Sequence, residues 1–440
     1  MTHVFHRSAL SVPPVAVAAE GQYIIDADGR RYLDASGGAA VSCIGHGDPR
    51  VVAAVAGQIA RLDYVHSGAF TSPAAEELAA HICEAAGEGM ARVYFVGSGS
   101  EAVEAAVKMA RQCQIERKQP SRHIVISRRQ SYHGNTLGAL ARSGSESRRA
   151  PYSLMLPERT QIAPCFPYRY AAPGETLEAY GRRAADALEV EILRLGPENV
   201  AAFLAETVVG ATSGAVAPAP GYFRRIREIC DRYGVLLICD EVMCGAHRTG
   251  PFLACSAEGA SPDIVTLAKG LGGGYLPIGA VACRAEVHDT FARGSGAFIH
   301  GHTYMAHPVA CAAALEVQRV IVADGLAERV VQHGVLLETA LRDRLSQHPH
   351  VGDIRGRGLL YAVELIADPE TRAPFEPETR LAKHIGAQAK ARGLLVYSGS
   401  GTIDGERGDH VLLAPAYSIS AREVGEIADV LTEAIEAALS

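Results

Sequence analysis

VYFVGSGSEAVEAAVKMAR (residues 93–111) runs from an apolar strand through a glycine turn into an amphipathic segment. Val103, Ala106, Val107 and Ala110 fall on one face of a helix, and Glu104 and Lys108 pair at i,i+4 on the other. Strand, tight turn and helix in that order can cradle a phosphate. The turn presents the backbone N–H groups of Ser98, Gly99 and Ser100 at the positive end of the helix dipole, and the serine hydroxyls add donors. Gly97, Gly99 and Ala102 also satisfy the G-x-G-x-x-G/A dinucleotide fingerprint, which makes an NADP-dependent oxidoreductase the first alternative. Arg128 and Arg129, closing the next strand in HIVISRRQ, suit a 2′-phosphate in that reading. A plain tight turn is the bland alternative, so residues downstream have to decide.

Outward from this stretch, the pattern of strand, turn and helix repeats in HIVIS, VAAFLAE, GVLLICDEV, DIVTLAK and GAVACR. Strands so continuously apolar, separated by helical segments, predict an α/β fold with a parallel sheet covered on both faces. Between Gly221 and Gly234, Phe223, Ile226, Cys230 and Tyr233 line one side of a helix that Gly234 ends in the left-handed conformation. Upstream, EGQYIIDADGRRYLD (20–34) reads as a hairpin about Asp28 and Gly29. After about residue 325 the pattern changes to a smaller α+β unit, closed by a helix with a capping box at Ser420 and Glu423.

Composition narrows the class. The 440 residues are 48% hydrophobic and 21% charged, an ordinary globular balance for about two or three domains. A net charge of −7 argues against a nucleic-acid footprint, which needs clustered Lys and Arg. No run approaches the ~20 apolar residues of a membrane span, and MTHVFHRSALSVPPVAV lacks the pattern of a secretory signal, so a cytoplasmic protein is expected. The ten cysteines are scattered, with no C-x-x-C spacing, and read as reduced, buried small residues.

Two further strand ends carry the chemistry. VLLICDEVMCGAHRTG places Asp240 and Glu241 at the carboxyl end of an apolar strand, where parallel sheets put their ligands. An Asp there needs a cation or strong donor. In DIVTLAKGLGGGYLPIGAVACR, Lys269 ends another strand and is followed by Gly270, Gly272, Gly273 and Gly274, which let a ligand approach closely. A desolvated lysine there shifts toward its neutral, nucleophilic form. A phosphate cradle, an acid and a lysine at three strand ends describe a site for pyridoxal phosphate. NADP needs neither Lys269 nor Asp240.

GSGSEAVEAAVKMAR, SYHGNTLGAL, AETVVGATSGAVAPAPGYF, CDEVMCGAHRTG, TLAKGLGGGYLPIGA and HGHTYMAHPVACAAAL, in that order, resemble the class III aminotransferases. These are fold-type I pyridoxal-phosphate enzymes, and the resemblance runs from about Gly21 to the last helix. It implies a large domain (71–325) with a mostly parallel sheet, and a smaller α+β domain (326–440) joined by the amino-terminal segment (1–70). It implies pyridoxal 5′-phosphate bound as a Schiff base to Lys269, which then shuttles a proton, and Asp240 beside the pyridine nitrogen. Tyr132 and Val242 match the residues packing on the two ring faces, with His133 beside Tyr132. Ser98, Gly99 and Ser100 match the phosphate donors, and Thr303 matches a threonine reaching the phosphate of the neighbouring subunit. A homodimer, alone or paired into a dimer of dimers, follows.

The resemblance also bears on substrates. It implies a ping-pong transfer from an amine or ω-amino acid to pyruvate or 2-oxoglutarate. Glu206 matches a glutamate near the substrate pocket that pairs with an arginine, and Arg407 lies near a mobile arginine that clamps an acceptor carboxylate; an ordinary surface arginine is the competing reading. A decarboxylating transaminase, an aminomutase and a non-catalytic binding protein on the same fold remain as alternatives. His302, Ala306, Thr207 and His247 replace the Phe, Gly, Pro and Gly common in the family. A metal cluster of His300, His302 and His307 is weighed against a structural loop at the dimer interface, and the loop is preferred. No metal is expected.

Overall fold

The computed structural model describes residues 2–87 and 89–440. In chain order its strands are β1 (Ala16–Glu20), β2 (Tyr23–Asp26), β3 (Arg31–Asp34), β4 (Met90–Val96), β5 (Ile124–Arg128), β6 (Gln161–Ile162), β7 (Val200–Glu206) and β8 (Leu236–Asp240). They continue with β9 (Ile264–Leu267), β10 (Gly279–Arg284), β11 (Val351–Arg357), β12 (Leu360–Leu365), β13 (Leu394–Leu395), β14 (Tyr397–Ser400) and β15 (Asp409–Leu413).

The central sheet has seven strands in the order β4-β10-β9-β8-β7-β5-β6. The pairs from β6 through β9 are parallel, whereas β10 runs antiparallel to both β9 and β4. GAVACR is therefore an exception to the expected parallel run. Its link from β9 holds a single 3-10 turn, Lys269–Leu271, and no crossover helix, so the chain returns in the opposite sense. Since β4 again points the same way as β5 through β9, their carboxyl ends share one edge.

Alternate residues of the inner strands feed two cores, as the two-residue period of a strand requires. Phe203, Ala205, Leu237 and Cys239 pack with the helices Leu177–Leu195 and Tyr222–Tyr233. Ala202, Leu204, Leu236 and Ile238 pack with the helix Gly99–Glu116. Every residue of β7, β8 and β9 is buried, at roughly 1.5–3 kcal/mol for each large aliphatic side chain. Helices on both faces leave only the sheet's ends open for a ligand.

Local signals hold in several places. Ser98 caps the helix Gly99–Glu116 by accepting from the Glu101 N–H, Gly234 ends its helix at φ +65°, and Ser420 and Glu423 form the capping box. The hairpin of β2 and β3 turns at Gly29, φ +78°. The expected Glu104–Lys108 pair does not form among the described residues. The Glu104 carboxylate instead accepts from Thr136 Oγ1 (2.8 Å) and the Ala139 N–H (3.1 Å), capping the helix Leu137–Arg142 that follows β5. A tertiary cap outcompetes a surface i,i+4 pair worth a few tenths of a kcal/mol.

A third core joins both ends of the chain. Leu33, Cys43 and Val51 pack with Leu337, Leu341, Val411 and Ile427, and β3 pairs in parallel with β13. A second sheet, β11-β12-β15-β14, completes this part. All ten cysteines are free, with Cys83 half-buried and the rest buried. Among the described residues no helix is long and apolar enough to cross a membrane.

Candidate active site

A cavity of about 380 Å³ opens at the shared edge where β4, β7, β8 and β9 end. Ser98, Gly99, Ser100, Tyr132, His133, Glu206, Asp240, Val242 and Lys269 all line it. This is the crevice outside the carboxyl ends of the strands, where an open α/β sheet takes its ligands.

At the end of β4, Ser98 Oγ is occupied as the helix cap, and Ser100 Oγ accepts from the Asn135 N–H (3.1 Å). Both hydroxyl protons stay available for donation. The Gly99 and Ser100 N–H groups have no protein acceptor among the described residues, as first-turn amides of an 18-residue helix should not. Gly99 is required sterically: a Cβ there would come within 2.8 Å of Val242 Cγ1.

Asp240, at the end of β8, is buried and fixed from three sides. His133 Nδ1 donates to Oδ2 (2.7 Å), while the Val242 N–H (3.0 Å) and Thr266 Oγ1 (3.1 Å) donate to Oδ1. His133 Nε2 is buried with no partner. Glu206, ending β7, accepts from the Tyr132 and Gly210 N–H groups, both at 3.0 Å. Burial raises the Glu206 carboxyl above its ordinary value, opposed by His133. The arginine expected to pair with Glu206 is replaced by these two backbone amides.

Lys269 sits at φ +48°, a left-handed conformation that costs a residue with a Cβ about 1–2 kcal/mol. The turn is held closed by the Gly272 and Gly273 N–H groups on the Lys269 carbonyl (3.1 and 3.0 Å). The side chain is half-buried, with the cavity beside it. Enclosure lowers the ammonium to about 8, against the pull of Glu206 and Asp240 in the other direction. Near neutrality an appreciable fraction is uncharged amine, able to act as nucleophile or base.

The cavity fits pyridoxal phosphate. Open amides at a helix start suit its phosphate, a buried oriented carboxylate suits a protonated ring nitrogen, and Lys269 suits its aldehyde. The dinucleotide reading fails at Arg128, which is buried rather than offered at the strand end. Its guanidinium donates to the Glu206 carbonyl and lies 5.8 Å from the Tyr222 ring.

Arg407 is not brought to the cavity, and Thr303, expected at the phosphate of a neighbouring subunit, does not line this chain's own cavity. Arg407 is exposed, and its Nε donates to Asp404 Oδ2 at 2.7 Å in a local turn. Thr303 is exposed on the segment before the helix Pro308–Ala323, its carbonyl accepting from Tyr64 OH at 3.0 Å. His300 and His302 meet edge to face at 4.8 Å, and no group of three or more His, Cys, Asp or Glu is arranged to hold a metal among the described residues. The departures from the family pattern also find causes. Ala306 (φ +51°) and His247 (φ +70°) adopt left-handed backbone, the reason glycine is common there, and Thr207 donates its hydroxyl to the buried Glu241 at 2.5 Å.

Sequence reasoning missed the apolar wall of Leu276, Pro277 and Ile278, though its signal was present directly after the glycine run. It also missed Val41, contributed from the amino-terminal segment, and Arg148, whose guanidinium carbon lies 5.0 Å from the centre of the Tyr132 ring. Neither had a local signal.

The family model described as Aminotransferase class-III matches residues 4–435. The chain is similar to an uncharacterized aminotransferase of Schizosaccharomyces pombe, 44% identical over 98% of this chain and 95% of that protein. It is also similar to the putrescine–pyruvate aminotransferase of Pseudomonas aeruginosa, 35% identical over 94% of this chain and 88% of that one. Among solved structures, an amine transaminase from an uncultivated Pseudomonas species, in its pyridoxal-phosphate-bound form, superposes with a TM-score of 0.92 at 34% identity, covering 100% of this chain and 98% of the other.

Proposed function

The chain belongs to the class III aminotransferases, fold-type I enzymes that work with pyridoxal phosphate, and from that premise we propose that transamination takes place in the cavity at Lys269. The observation that carries this is Lys269 and Asp240 facing one cavity from adjacent strands, beside the open amides of Gly99 and Ser100. In this reading Gly99, Ser98 and Ser100 hold the phosphate, and Tyr132 and Val242 hold the ring between them. Asp240, kept in place by His133 and Thr266, carries the negative charge opposite the ring nitrogen. Bound there, pyridoxal phosphate supplies an electron sink that acidifies the amino-bearing carbon and stores the amino group between half-reactions.

Lys269 Nζ then takes the proton from that carbon and returns it one position away. Its amine is suited to both steps because burial brings it to about 8, close to the working range of a general base. The apolar wall of Leu276 and Ile278 excludes water from the reacting atoms. The donor is an amine or ω-amino acid and the acceptor a 2-oxo acid such as pyruvate or 2-oxoglutarate, used alternately. The similarity to the putrescine–pyruvate enzyme supports this choice.

The working unit is a homodimer in which Thr303 reaches the phosphate of the second copy. Its exposure, next to exposed Ile299 and Tyr304, supports that reading. Ten free cysteines fit a reducing compartment, and we place the protein in the cytoplasm.

Borohydride treatment of the yellow holoenzyme tests the assignment of Lys269. Cofactor fixed to the peptide containing Lys269, with turnover in Lys269→Ala reduced by three or more orders of magnitude, is the expected result. Fixation on another lysine rejects it.

A further inference from the structure

Left-handed backbone at a residue with a Cβ persists only where its surroundings leave no alternative, and three distant segments converge on the turn that begins at Lys269. Gln318, on the helix Pro308–Ala323, donates from Nε2 to the carbonyls of both Gly270 (3.1 Å) and Leu271 (2.9 Å). Cys43 Sγ adds a weaker bond to the Gly270 carbonyl at 3.3 Å. Tyr417, fully buried, gives its hydroxyl proton to the Ala246 carbonyl at 2.7 Å, and its oxygen would lie 3.2 Å from a Cβ on Gly270.

Of the three, Gln318 has the firmest hold. Both of its partners are carbonyls, which only accept, so the amide must turn its NH2 end to them and give one proton to each. The side chain is 1% exposed, and its helix neighbours Val317, Val320 and Ile321 all belong to the third core. A polar group set among them is explained by the turn it reaches. Relaxing Lys269 to the right-handed region would rotate the peptide planes that follow it and draw the Gly270 and Leu271 carbonyls off the amide. The direction of the Lys269 side chain therefore depends on a residue 49 positions away that does not itself line the cavity.

We propose that Gln318 is a positioning residue for catalysis, which locks the left-handed turn through the Gly270 and Leu271 carbonyls and so aims Lys269 Nζ at the reacting atoms. This rests on the transaminase reading and deepens it. Lys269 has to serve two atoms one position apart from a single anchor, and proton transfer of that kind is steeply sensitive to placement. Gln318 touches neither cofactor nor substrate and acts through the backbone of the turn.

Gln318→Met tests this, because methionine has nearly the same length and volume and offers no N–H. The visible absorbance of the Lys269–cofactor linkage is titrated with pH in the holoenzyme, and kcat and KM are measured per bound cofactor. Expected are a titration midpoint displaced by about half a pH unit or more, and kcat lowered about tenfold or more with KM within about twofold of wild type. Glu206, Asp240, Cys244 and Arg248, the groups that act on Lys269, stay in place, so the displacement reports the turn. Partial recovery of both values in Gln318→His, which keeps one N–H for the two carbonyls, supports the assignment. A lower unfolding temperature with wild-type midpoint and kcat marks a structural contact only and overturns the proposal, as does a change in KM alone. If Gln318→Met does not fold, Gln318→His decides: a displaced midpoint with kcat lowered about threefold or more supports the assignment, and wild-type values reject it. A wild type without the visible band fails the reading of Lys269 as the cofactor's lysine and this inference with it. A normal band left unmoved by the substitution rejects Gln318 alone.

Discussion

At the scale of single residues, His410 shows what burial does to a group that the reaction does not use. Its ring is fully enclosed, Nδ1 is bonded to Thr402 Oγ1 at 2.7 Å, and a Cβ on Gly399 would lie 2.2 Å from Nε2. Enclosure, reinforced by the charge of Arg355, pushes the imidazole down to about 3. The unfolded chain takes up this proton near its ordinary value of about 6.5 and the folded one does not, so stability is complete above that value. It falls as the pH drops toward 3, by at most about 1.4 kcal/mol per pH unit from this group. Urea unfolding of wild type and His410→Gln between pH 7 and 4 should show a shallower slope in the variant; superimposable slopes would refute the assignment. Single residues also mark how far the sequence could be read. Lys269 and Asp240 were legible because each is the first charged group at the end of an apolar strand, whereas Glu206 entered through the family resemblance alone. The bond between His133 and Asp240 spans 107 positions, and Arg148 meets Tyr132 from the far side of the helix Leu137–Arg142, so neither left a pattern in neighbouring residues.

Elements were legible where one local cause determines them and illegible where a distant partner does. The capping box at Ser420 and the left-handed Gly234 follow from their own neighbours. The antiparallel course of β10 follows from what its link lacks, and apolar strand composition is blind to direction. The same holds for the junction between the small turn Pro167–Tyr170 and the sheet of β11 and β12. There Glu364 of β12, fully buried, accepts from Arg169 Nε (2.8 Å) and from Arg355 Nη1 of β11 (2.5 Å). Glu364→Gln leaves two largely buried guanidiniums facing a neutral amide, and we expect a loss of about 3–5 kcal/mol, measured by urea unfolding at neutral pH. A loss below about 1 kcal/mol would mean that water reaches the arginines and the junction is held by its apolar contacts.

For the whole molecule, the sequence offered a change in pattern near residue 325, while the third core draws on residues from both sides of that point, Leu33 and Val317 with Leu337 and Ile427. That residues near 33 and 394 lie side by side could not be read from it, because two short strands carry no address for each other. Assembly is the other property at this scale. Phe70, Ile299 and Tyr304 are 68%, 81% and 68% exposed, a large apolar area for one chain to present to water. Sedimentation velocity of the holoenzyme should return twice the chain mass or a multiple of it, with cofactor retained less well in Thr303→Ala; a monomer at micromolar concentration would remove the shared-site reading. The parallel pairing of β3 with β13 has a further consequence during synthesis. About 360 residues separate the two, and at roughly 5–20 residues per second the ribosome needs on the order of 20–70 s to deliver the second after the first. Throughout that interval β3 has its hairpin partner β2 but an open second edge, which leaves the amino-terminal segment accessible to chaperones and proteases. The first strands made are among the last to find their place.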